Sequence, residues 1–147
     1  MTININSPST RFIEKPSELA LVLYTSRVPA GFPSPADDHL DDKLDLNLHL
    51  IRRPAATFFV RANGESMKEA GIFDGDLLIV DRAIAPQASD IVIAVIDGEL
   101  TVKRLKKVQG TWALTAENRE FPDIHLGEAG CEVWGVVTNS IRHHCLR

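Results

Sequence analysis

An excess of basic residues is missing from this chain. Sixteen Lys and Arg stand against twenty Asp and Glu, a formal charge of −4. A protein built mainly to grip nucleic acid must neutralise phosphates with a basic surface, so that class is disfavoured. Cysteine is scarce as well. Cys131 and Cys145 are the only two, and they lack metal-ligand spacing. A disulfide scaffold does not fit, and a reducing cytosol fits better. His143-His144-Cys145 has no further ligands nearby in sequence, so neither a metal nor a cofactor is expected. No uninterrupted apolar run is longer than Ile91 to Ile96, far short of a bilayer span. Leu19 to Tyr24, ahead of Val28-Pro29-Ala30, has the outline of a signal peptide, but Glu14 and Glu18 stand where a basic flank belongs. Neither export nor a membrane anchor is expected. Common catalytic signatures are absent too: no Gly-x-Ser-x-Gly elbow, Walker loop, Cys-x-x-Cys or His-Glu-x-x-His. His39, His49 and His125 sit alone in polar surroundings and read as surface residues.

What is present is enough apolar sequence, 44% of 147 residues, to bury a core. The two ends of the chain differ. Residues 1–40 are turn-rich, with Pro16, Pro29, Pro33 and Pro35 breaking any continuous helix and limiting strand pairing. They read as an extended arm, mobile at its start. Leu19–Leu23 suits either a short helix or a docked strand. An acidic run follows, Asp37 to Asp45. Asp45–Ile51 alternates like a strand, yet Asp45 and Asn47 also suit a helix start. The remainder, residues 41–147, reads as a compact and mainly β body. Thr57–Arg61, Leu77–Val80, Ile91–Ile96, Leu100–Leu105, Trp112–Leu114 and Val133–Val137 are strand candidates. Asp97-Gly98 marks a tight antiparallel hairpin, because both residues tolerate positive φ. Ser66–Ala70 suits one helical turn closed by Gly71.

Two residues in this body have the chemistry of a peptide-cutting pair. Ser66 follows a strand and a glycine, at a turn that exposes its hydroxyl and aims backbone N–H groups outward, that of Met67 among them. Such donors stabilise an acyl-transfer oxyanion. Taken alone, a helix-capping turn serine is the commoner role. Lys103 lies on a strand candidate. Alternation sets Thr101, Lys103 and Leu105 on one face, where Thr101 can orient the amine by a hydrogen bond. Taken alone, a solvated strand lysine is again commoner, and Arg104, Lys106 and Lys107 read as a solvated basic edge. A lysine titrates near ~10.4, so only about one in a few thousand is neutral at pH 7. Acting as a base requires apolar burial, which disfavours the ammonium.

Gly64-Glu65-Ser66-Met67, Asp74-Gly75-Asp76, Asp90-Ile91-Val92 and Asp97-Gly98-Glu99-Leu100-Thr101-Val102-Lys103 occur in this order. Together they resemble the LexA/UmuD family of self-cleaving serine peptidases. Gly31-Phe32-Pro33-Ser34-Pro35-Ala36, Asp45-Leu46-Asn47 and Leu50-Ile51 match its UmuD branch. The resemblance runs from Phe32 to Val137. It implies Ser66 as nucleophile, Lys103 as general base and Ala30–Gly31 as the scissile bond. A small pair suits a narrow cleft. The UmuD branch often carries Cys before this glycine, and Ala-Gly is the pair seen in LexA. The first 14 or so residues extend beyond the branch's usual start. LexA's helix-turn-helix has no counterpart before Ala30, so sequence-specific DNA binding is not expected.

The resemblance further implies a cytoplasmic homodimer that cuts itself when RecA filaments form on damaged DNA, in the SOS response. Its shortened product then joins an error-prone translesion polymerase with a UmuC-type catalytic subunit. Two other classes remain open on the residues: a non-catalytic dimeric module that binds a polymerase or RecA filament, and a signal-peptidase-like Ser-Lys protease acting on other chains.

Overall fold

The computed structural model describes residues 18–24, 27–31, 42–127 and 130–147. The first residues of the arm, the segment after Gly31 and most of the acidic run lie outside them. The chain divides into two compact units, Met1–Arg52 and Arg53–Arg147. Residues 42–52, assigned above to the β body, therefore group with the amino-terminal unit.

In that first unit, strand β1 (Ala20–Leu23) pairs antiparallel with β2 (Asp42–Asp45), Ala20 facing Asp45 and Leu23 facing Asp42. Of the two forms open to Leu19–Leu23, the strand is adopted. Asp45–Ile51 divides between its two alternatives. Asp45 ends β2 and caps helix α1 (Leu46–Leu50), accepting from the Asn47 N–H at 2.9 Å. An aspartate here offers a carboxylate to N–H groups that have no partner inside the helix.

The second unit is built on an antiparallel seven-stranded sheet. Its strands are β3 (Thr57–Arg61), β4 (Leu77–Asp81), β5 (Ile91–Ile96), β6 (Glu99–Val108), β7 (Thr111–Thr115), β8 (Ile124–His125) and β9 (Cys131–Ile141). They lie in the order β3-β4-β9-β5-β6-β7-β8. The strand candidates that are wholly apolar, Leu77–Val80 and Ile91–Ile96, take inner places in the sheet, where both faces are covered. On β5, Ile91 and Ile93 face a cluster of Met67, Ile72, Leu78 and Val80, with Val102 packed against it. Val92 and Ala94 face a second cluster of Leu105, Leu114 and Val136. One strand thus serves two cores, as a side-chain period of two requires.

Asp97 (φ 49°) and Gly98 (φ 81°) form the β5–β6 turn with both residues left-handed, as the dipeptide predicted. Gln109 (φ 51°) and Gly110 (φ 78°) do the same between β6 and β7, a hairpin the sequence reading did not single out. Strand β6 changes partner midway. Glu99–Arg104 pair with β5, and Arg104–Val108 pair with β7. Among the described residues, no strand therefore borders the second edge of Glu99–Lys103.

Strand β9 outruns its expected Val133–Val137 core. Its register shifts against β5 and against β4, leaving Trp134 and Thr138 as the extra residues of two bulges. Trp134 meets Phe58 edge to face at 6.3 Å. Next to it, Gly135 has no room for a side chain. A Cβ there would stand 2.8 Å from Val80 Cγ1 and 3.2 Å from the Asp81 carbonyl. Val80 is fully buried and branched, so it cannot swing away. Gly135→Ala is expected to lower stability by about 1–3 kcal/mol through overpacking. Urea unfolding checks this, with the midpoint falling at unchanged slope.

Candidate active site

Ser66 lies in the turn after β3. Gly64 (φ 87°) reverses the chain in the left-handed conformation that glycine adopts without strain. Its N–H donates to Asp74 Oδ1 at 2.8 Å. A short 3-10 helix, Lys68–Ala70, follows Ser66 and ends at Gly71 (φ 80°), as expected from the sequence. Met67 is the buried anchor, 3% exposed within the first core cluster. Its carbonyl accepts from Ala70 at 3.0 Å and Ile72 at 3.2 Å. Ser66 itself stays half-buried. Among the described residues, neither the Ser66 nor the Met67 N–H donates to another group. Both donors are available to an oxyanion.

A groove of about 200 Å³ runs beside this turn. Val60 to Gly64, Ser66, Met67 and Ile72 line it, together with Ile93, Leu100, Thr101 and Val102. The lining thus includes the part of β6 whose outer edge borders no strand among the described residues. Free backbone N–H and C=O groups on such an edge suit an extended peptide.

Lys103 is the next residue on β6. It pairs with Val92 across the strands. Alternation sets it with Leu105 rather than Val102, and it is not among the groove-lining residues. It is 7% exposed, so it is not the solvated strand lysine that is commoner elsewhere. Its Nζ lies 5.6 Å from the centre of the Phe121 ring. Burial pushes its pKa below the ordinary lysine value, and no neighbouring charge contributes to the shift. Among the described residues it forms no ion pair, and the hydrogen bond expected from Thr101 is not made.

The residues covering Lys103 were not foreseen. The loop after β7 carries Glu117, Asn118 and Phe121, and it binds both halves of the site. The Glu69 N–H donates to the Glu117 carbonyl at 2.9 Å, and Asn118 Nδ2 donates to the Glu65 carbonyl at 3.0 Å. Arg104 does not belong to a solvated basic edge. It is partly buried, pairs with Glu117 and donates to the Ser89 carbonyl at 2.6 Å. Lys106 and Lys107 are exposed as expected. The only sequence cue to the loop was an Asn in polar company between a strand and Pro122, which reads as an ordinary turn.

Ala30 and Gly31 belong to the first unit. Both are exposed, and nothing lies within 4 Å of a Cβ placed on Gly31. Among the described residues, no cluster of His, Cys, Asp or Glu is suited to a metal ion, and no helix is long and apolar enough to cross a membrane.

The chain was compared with known proteins. The family model described as Peptidase S24-like matches residues 22–138. Protein SamA of Salmonella typhimurium is 51% identical over 125 residues, covering 85% of this chain and 87% of SamA. Protein ImpA of Escherichia coli is 52% identical over 120 residues, covering 81% of each. The LexA repressor of Colwellia psychrerythraea is 37% identical over 140 residues, covering 92% of this chain and 65% of the repressor.

The lowered Lys103 pKa has a consequence for stability. Between its folded and unfolded pKa values, the unfolded chain binds the extra proton, so stability rises with pH in that window. Below the folded pKa the full penalty of a buried ammonium applies. Lys103→Met is therefore expected to raise the melting temperature at neutral pH. The advantage should shrink as pH climbs towards the ordinary lysine range. Thermal melts of both proteins across pH check this, and an advantage independent of pH would contradict it.

Proposed function

The chain belongs to the Peptidase S24-like family, and on that premise we propose that it is a serine endopeptidase that cuts itself between Ala30 and Gly31. One observation carries this reading: a buried lysine amine with no carboxylate partner among the described residues, on the strand whose Thr101 and Val102 line the groove beside Ser66. Burial of this kind lowers the lysine pKa and so favours the free amine over the ammonium, the direction that a general base requires.

In the proposed reaction, neutral Lys103 takes the proton of the Ser66 hydroxyl as Oγ attacks the Ala30 carbonyl carbon. The Ser66 and Met67 N–H groups hydrogen-bond the oxyanion. The Ala30–Gly31 C–N bond then breaks, and Lys103 passes its proton to the departing Gly31 amine. Water, deprotonated by the again neutral Lys103, attacks the Ala30 acyl carbon, and Lys103 returns that proton to the departing Ser66 Oγ as the Ala30 carboxyl group is released. Thirty-five positions separate Gly31 from Ser66. At about 3.3 Å per extended residue the chain is long enough to serve its own subunit or a partner's.

The motif pattern shared with the LexA/UmuD family supports the wider setting. The protein acts as a cytoplasmic homodimer in the SOS response. Its arm occupies the groove part of the time, and a RecA–DNA filament favours that docked state, a population shift rather than added chemistry. The shortened chain, beginning at Gly31, then serves a UmuC-type translesion polymerase as its accessory subunit.

Purified protein incubated at raised pH is expected to cut itself slowly, yielding a fragment that begins at Gly31. Ser66→Ala and Lys103→Ala should each abolish cutting. Intact mass spectrometry decides. A fragment with another first residue would refute the scissile bond, and cutting that persists in Ser66→Ala would refute the nucleophile.

A further inference from the structure

We propose that Asn118 is a positioning residue for the self-cleavage reaction, tying the peptide unit before Ser66 to the loop that carries Phe121 over the Lys103 amine. The proposal rests on the reading of Ser66 and Lys103 given above and adds a residue to it. Asn118 is a buried polar side chain, 5% exposed, and both ends of its amide are used. Nδ2 donates to the Glu65 carbonyl at 3.0 Å. Oδ1 accepts from the Glu120 N–H at 3.2 Å. Its own carbonyl accepts from the Phe121 N–H at 3.2 Å.

The first bond acts on Ser66. The Glu65 carbonyl and the Ser66 N–H belong to one planar peptide unit. Holding that carbonyl sets the direction of the N–H, one of the two donors available to an oxyanion. The Lys68 N–H holds the same carbonyl from within the turn, at 3.2 Å. Asn118 is the hold from outside. The other two bonds act on Lys103. An Asn side chain bonded to the N–H two residues on closes an Asx-type turn. This turn sets the backbone of Phe121, whose ring lies 5.6 Å from Nζ. One side chain therefore orients an oxyanion donor and fixes the cover over the base.

The amide needs both its donor and its acceptor for this. Aspartate has the same shape but offers acceptors only, so it loses the bond to Glu65 and brings a negative charge towards the amine. The charged groups already on the surrounding elements are accounted for. On β6, Arg104 pairs with Glu117, while Glu99 and Lys106 are exposed. Strand β5 is apolar from Ile91 to Ile96, and Asp90 before it accepts from the Gln87 N–H. The loop adds Arg119, Glu120 and Asp123, and the Ser66 turn adds Glu65, Lys68 and Glu69, all exposed. Among the described residues none of these forms an ion pair with Lys103.

The test uses Asn118→Asp and Asn118→Ala in the full chain, below the melting transition of each. Both are expected to slow self-cleavage by about tenfold or more, as small misplacements of reacting groups do. In a Ser66→Ala background, which holds the chain uncut, the Lys103 ε-carbon NMR signal should titrate at higher pH in both variants. The rise should be larger for aspartate. Cutting at the unaltered rate overturns the proposal. So does slower cutting with an unchanged Lys103 titration, which marks Asn118 as a purely structural residue. Should the unaltered chain fail to cut, the peptidase reading fails, and the Lys103 titration still decides the role of Asn118.

Discussion

The site depends on an amine withdrawn from water that, among the described residues, no opposite charge meets. Burial penalises the ammonium and leaves the neutral amine almost untouched. A carboxylate beside Lys103 would stabilise the charged form and undo this. Other buried charges in the chain are arranged the other way. Asp76 is held well below the usual carboxylate range by its hydrogen bonds from Arg142. Asp81 lies below it too. Burial works against the charged form there, but the Ala83 N–H and Arg53 outweigh it. Those two carboxylates are satisfied in their charged forms, and Lys103 is not.

The sheet holds that amine in place. Strand β5 packs one core on each face: Met67 and Ile72 anchor the turn bearing Ser66 in the first cluster, and Lys103 pairs across the strands with Val92. Strand β6 exchanges partners at Arg104. Before it, a strand edge beside the groove is left open by the described residues. After it, β7 takes over the pairing and leads into the loop over Lys103. Arg104 stands at this junction and ties the loop, through Glu117, to the backbone at Ser89. The same ten-residue strand thus contributes a groove wall, the candidate base and an anchor for its cover.

Much of this was legible in the residues. Asp97-Gly98 announced a left-handed hairpin turn, and Gly71 the end of a helical turn, because few residues tolerate those backbone angles. The apolar runs of β4 and β5 announced strands. Arg104 was misjudged because a charged residue between Lys103 and Lys106 resembles a solvated edge, and only the return of the loop after β7 gives it a partner. Asn118 passed unnoticed for the same reason. Its two bonding partners, Glu65 and Glu120, stand 53 and 2 positions away, and nothing local reveals the distant one. Alternation on β6 did set Lys103 apart from Val102, but it carried no information about the ring of Phe121.

By itself, the sequence determined what is local: which runs extend, where the backbone turns, which side chains carry a hydroxyl or an amine, and which family pattern they spell. Tertiary structure decided whether the amine of Lys103 meets water, what covers it, and how the peptide before Ser66 is held. Desolvation is the sum of everything packed around an atom, and most of that packing comes from segments far away along the chain.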